Sequence, residues 1–168
     1  MKQYNSSTAF CHLYIFLLIL SYFVGHASNL VKSFFILTGT LLTICIFLDL
    51  KKVFNKILKT FKFDIFIYLF IVFKSIGGLG FFINLSGDTL NPLLHQFFFL
   101  ISIITQLIFA IFLLKSKNDL KFLRYYALLL LCSIMFSIIL PNSFINMFIP
   151  LFIVFILGEV FFEAQNYS

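Results

Sequence analysis

Lys74 is the side chain best placed to do chemistry, because of where it stands. It falls near the middle of the apolar run 65–85, where a lysine costs about 2.5–3.5 kcal/mol even on lenient insertion scales. A charge kept at that depth points to binding of a carboxylate or phosphate. Pairing inside a helix bundle is the competing account. The next apolar run, 93–114, offers it companions. His95, Ser102 and Gln106, with Phe99 between them, recur at helical spacing and share one face. Counting inward from the outer end of each run places Gln106 within about a turn of Lys74 in depth. Ser75 and Ser102 add hydroxyls at similar levels. Lys74, Ser102, Gln106 and His95 are therefore the candidate ligand-binding set. Polar residues that simply join adjacent helices would give the same pattern.

Other polar groups promise less. Gly77-Gly78-Leu79-Gly80 follows Lys74 with no strand before it, so it is no phosphate loop. Close helix packing, or a local break that widens the helix's outer half, is the expectation. Thr38-Gly39-Thr40 and Thr43 read as packing residues of the second run. His26 and His95 stand near outer ends of runs, a spacing that would admit one haem. There is no HExxH and no Cys/His cluster, so neither a metal nor a cofactor is expected. Glu159 and Glu163 lie four apart at the inner end of the last run and read as solvated. Asp49, Asp64 and Asp119 read as membrane–water boundary residues. No carboxylate pair stands at catalytic depth, so no catalytic residue is assigned. Cys11, Cys45 and Cys132 lack CxxC spacing and read as small buried hydrophobes.

The elements that must hold these groups follow from composition. Of 168 residues, 62% are hydrophobic and 11% charged. Soluble domains carry about 25% charged residues, so this chain is too apolar to surround a core and still present a wet surface. Six runs, 9–24, 30–48, 65–85, 93–114, 120–140 and 144–162, approach the length of about 20 residues that a membrane-crossing helix needs. None alternates polar with apolar as barrel strands do. The expected fold is all-α, one polytopic membrane bundle of about six transmembrane helices.

Lys51, Lys52, Lys56, Lys59 and Lys62 follow the second run, Lys115, Lys117, Lys121 and Arg124 the fourth, and Lys2 opens the chain. These ten fall on one side and Lys32 alone on the other, which places both termini in the cytoplasm. The net charge of +6 is thus spent on orientation and on anionic lipid, with no nucleic acid expected. The first run reads as retained, although Gly25-His26-Ala27 has the small residues of a cleavage site. The short turn at Leu140-Pro141-Asn142-Ser143 could also make the last two runs a re-entrant pair, and Pro150 is expected to kink the sixth.

One family pattern bears on the same positions. Leu30-Val31-Lys32-Ser33-Phe34-Phe35 resembles the Lys-Pro-Leu opening of a span in the YhhN-like lysoplasmalogenase family. Phe73-Lys74-Ser75-Ile76-Gly77-Gly78 is similar to its Gly-Asp segment, and Ser102 through Phe109 to its Phe-Leu-x-Ala-His-x-x-Tyr pattern. The likeness covers positions 30–114. It implies a membrane bundle related to enzymes that cleave the vinyl ether bond of lysoplasmalogens. Gly78 stands where that family has an acidic residue and Gln106 where it has histidine, so the resemblance implies loss of the ordinary activity. The leading expectation is a non-enzymatic membrane protein that binds a lipid-like or anionic ligand, or serves as a subunit of a membrane complex. A divergent lipid-modifying enzyme and a transporter or half-transporter are the alternatives.

Overall fold

Apolar runs without alternation form helices in lipid, because every backbone N–H and C=O must find its partner within the segment. The computed structural model describes residues 5–23, 28–85, 92–116, 120–139 and 145–167, with side chains omitted at 80–85, 92–95 and 145–147. Six helices account for nearly all of them: α1 (Asn5–Phe23), α2 (Asn29–Lys56), α3 (Asp64–Leu85), α4 (Pro92–Lys115), α5 (Lys121–Ile139) and α6 (Ile145–Gln165). Five of these, all but α3, have described stretches long and apolar enough to cross a membrane. The 22 residues of α3 give a length of about 33 Å at the usual rise. The protein is thus an all-α bundle of the kind that multi-pass integral membrane proteins form.

Each helix packs on its neighbours in sequence, and α6 returns to α1, so the bundle closes into a ring. A few contacts between α2 and α6 cross the interior. Large apolar side chains cover the outside, as Leu30, Phe34, Leu37, Leu41 and Leu48 do on α2. In water so continuous an apolar face would be a liability; in lipid it is the wetted surface.

The fully buried residues concentrate at one end. They come from the first turns of α1, the last half of α2, the first half of α3, the last third of α4, the first half of α5 and the last half of α6. These are the ends that carry the basic loops. At their centre stands Phe109, with its ring 5.1 Å from Phe70, 5.8 Å from Phe63 and 6.1 Å from Phe54. Phe54 and Phe63 stack at 4.8 Å. Edge-on and tilted rings at these distances attract beyond their packing area. Here they join α2, α3 and α4.

Polar contacts at this end revise several expectations. Asp49, expected at a membrane boundary, is buried. Its carboxylate accepts from Ser7 Oγ at 2.6 Å and from Lys52 Nζ at 2.5 Å. Asp64 opens α3, where a carboxylate complements the helix dipole, and pairs with Lys51 at 3.3 Å. Lys51 also donates to the Tyr68 hydroxyl. Glu163 is not merely solvated. Its two oxygens accept the backbone N–H groups of Lys121 and Phe122 at 2.9 and 3.0 Å. Leu120 precedes α5 and has no side-chain acceptor for that helix's free N–H groups, so a carboxylate on α6 takes the capping role.

Other boundaries shift too. α2 continues through Lys56, beyond the apolar run that ends at 48. α3 runs unbroken through Gly77 and Gly78, so the local break does not occur. α6 is continuous across Pro150. α5 and α6, at 19 and 21 residues, are each long enough for a full span. Of the cysteines only Cys11 is buried; Cys45 and Cys132 lie on the exposed surface. Gly25, His26 and Ala27, the turn 140–143, Lys2, Lys117 and Asp119 lie outside the described residues.

Candidate functional site

Above the aromatic end the ring loosens into two cavities that meet at Lys74. α3 carries Lys74 halfway along its length. The ammonium donates to the Tyr14 hydroxyl on α1 at 3.4 Å, with its nitrogen 6.0 Å from that ring's centre. Among the described residues the α1 and α3 backbones do not otherwise approach each other closely, since α2 lies between them. The Lys74–Tyr14 contact therefore bridges the ring's interior, and the ring face adds weak attraction for the cation.

The first cavity, of about 340 Å³, lies in the middle of the ring. α3 contributes Lys74 and Phe73, α4 contributes Ser102 and Gln106, α1 Tyr14, α2 Thr43, and α5 Tyr126. Ser102 and Gln106 are one helical turn apart, and the Gln106 amide donates to the Ser102 hydroxyl at 3.3 Å. The geometry thus brings Lys74, Ser102 and Gln106 to one space. His95 lies on α4, but its side chain is outside the described residues. Ser75 is not part of this group: its hydroxyl donates back to the Ile71 carbonyl at 2.8 Å. Phe47, Phe70, Leu130, Ile153 and Val154 complete an apolar floor.

The second cavity, of about 370 Å³, runs between α1, α2 and α3 away from the basic loops. It shares Tyr14, Phe73 and Lys74 with the first. Leu17, Leu18, Phe35 and Ile36 make its walls mainly apolar. The two glycines that follow Lys74 act differently here. A Cβ on Gly78 would come 3.2 Å from Thr40 Oγ1, so Gly78 lets α3 approach α2. A Cβ on Gly77 would meet nothing within 4 Å, so that missing side chain leaves open space. Gly39, in turn, would bring a Cβ to 3.4 Å from the Tyr14 ring and so seats that tyrosine.

Electrostatically the site is one-sided. Among the described residues no carboxylate pairs with Lys74. Asp49 and Asp64 hold Lys52 and Lys51, and Glu163 holds the start of α5. No described lining residue of either cavity is acidic. Three or more His, Cys, Asp or Glu side chains do not gather as a metal site among the described residues. What remains is a cation with hydroxyl and amide groups around it, a set that suits an anion.

Tyr14 and Tyr126 are site residues that the sequence reading missed, while Thr43, read as a packing residue, lines the first cavity with its hydroxyl donated to the Gly39 carbonyl at 2.7 Å. A signal for Tyr14 was present: Ser7, Tyr14 and Ser21 recur every seven residues, which keeps them near one face of α1. All three face the bundle, Ser7 on Asp49 and the other two in the second cavity.

No protein-family model matches the chain, and no curated protein or solved structure matches it either.

Proposed function

We propose that this multi-pass membrane protein binds an anionic ligand at the centre of its helix bundle, with the basic-loop end in the cytoplasm. One observation carries the reading. Lys74 faces a cavity alongside Ser102 and Gln106, and no described carboxylate neutralises it. A lysine at mid-membrane depth is expensive, and a cavity that admits an anion or water lowers that cost. The described lining holds no carboxylate pair, which favours binding over hydrolysis. The orientation rests on the ten basic residues that flank one end against Lys32 at the other.

Binding of hexanoate to the purified protein in a non-ionic detergent tests the site. Lys74→Met should weaken it by about tenfold or more, the scale of a lost charge-assisted hydrogen bond, while the protein still inserts and purifies. Failure of Lys74→Met to assemble would make Lys74 a structural partner and end the reading. For orientation, a single cysteine at position 59 in an otherwise cysteine-free chain should react with an impermeant reagent only from the cytoplasmic side.

A further inference from the structure

The two cavities share three residues but differ in the polar groups they add to them, and that juxtaposition narrows the ligand. We infer that the site takes a single-chain amphiphile with a carboxylate head, held at Lys74, Ser102 and Gln106, whose alkyl chain lies between α1, α2 and α3. The inference rests on the anion-binding reading and adds the occupant of the second cavity.

Three features point this way. Beside its apolar residues the first cavity gathers a cation, an amide and several hydroxyls, whereas the second adds to the shared Tyr14 and Lys74 only Thr40 and Ser21, whose hydroxyl donates back to the Leu18 carbonyl, among leucine, isoleucine, phenylalanine and glycine. A molecule that fills both must be polar at one end and apolar at the other. Size limits it to one chain. An apolar cavity of about 150 Å³ holds one benzene. On that scale a slot of about 370 Å³ takes about fifteen carbons. The two chains of a bilayer phospholipid need about twice that, which the slot cannot hold once the head occupies the first cavity. Charge chooses the head. With no acidic side chain in the described lining, a head that carried its own ammonium would bury that cation without a partner. A carboxylate has no such penalty.

Gly77 offers a clean probe, because a side chain there enters open space and meets no neighbour within 4 Å. Native mass spectrometry of the full-length protein would measure hexadecanoate, hexanoate and hexadecanoyl lysophosphatidylcholine on wild type, Gly77→Ala, Gly77→Leu and Lys74→Met. Wild type should prefer hexadecanoate to the lysophospholipid. Gly77→Leu should lose about fiftyfold or more in hexadecanoate affinity, since its side chain displaces several methylenes worth about 0.8 kcal/mol each, and should keep its hexanoate affinity. Gly77→Ala displaces about one methylene and should lower the hexadecanoate-to-hexanoate ratio about threefold. That smaller variant decides the matter if the leucine disturbs folding. Unchanged hexadecanoate binding in both glycine variants, loss of hexanoate with hexadecanoate in Gly77→Leu, or equal binding of the lysophospholipid by wild type would overturn the inference. Hexanoate binding that survives in Lys74→Met would instead overturn the anion site itself.

Discussion

The half of the bundle that carries the basic loops and the half that faces away from them are made of the same helices, yet they pack differently. In the basic half, Phe54, Phe63 and Phe109 interlock, Leu50, Val53 and Leu113 are sealed, and the described carboxylates Asp49, Asp64 and Glu163 have partners. In the other half, glycines, threonines and a lysine stand where large side chains would otherwise meet, and space remains. Lipid supplies no hydrophobic force between helices, so association depends on close packing and on polar contacts. The basic half uses both. The other half leaves space around Lys74.

Substitutions that attack each half sharpen this contrast. Removing Lys74 should have the largest functional effect and little effect on stability. Phe109→Ala should do the reverse. Lost ring contacts and an unfilled cavity should cost about 2 kcal/mol or more, seen as a lower thermal midpoint in detergent, with hexanoate affinity held if the upper half is independent. Equal loss of stability from Phe109→Ala and Gly77→Ala would dissolve the distinction between the halves.

Smaller effects should follow in the polar contacts of the basic half. Glu163→Ala leaves the first N–H groups of α5 without their acceptor and should cost about 1 kcal/mol, as other cap removals do. Glu163→Gln, which keeps one acceptor oxygen, should recover part of it. Ser7→Ala removes one hydrogen bond to Asp49 but leaves Lys52 as its partner. It should cost about 0.5–1.5 kcal/mol, measured as the same thermal midpoint. A Ser7→Ala loss larger than that of Phe109→Ala would mean that the polar contacts, and not the aromatic rings, hold this end together.

Much of this architecture was legible before any coordinates. Runs such as 30–48 and 93–114 are long and mainly apolar, and in lipid such a run has one stable backbone form, so six helices followed from length and hydropathy, although α2 runs on to Lys56. The helical phase of α4 already put Ser102 and Gln106 together, and the cost of a charge singled out Lys74. Their meeting around one space was a matter of matched depth alone. Which helix faces which was not legible, because a polar stripe marks an inner side without saying which neighbour it meets. Tyr14 and Tyr126 had no role assigned from sequence, and the closure of the ring by α6 on α1 brings the first and fifth helices beside Lys74. Glu163 likewise lies 41 positions from the amide of Phe122 that it caps. A local pattern cannot report such a pair; it exists only once α5 and α6 lie side by side. Chain-local physics thus determined the helices and the costly charge, and tertiary packing decided what surrounds that charge.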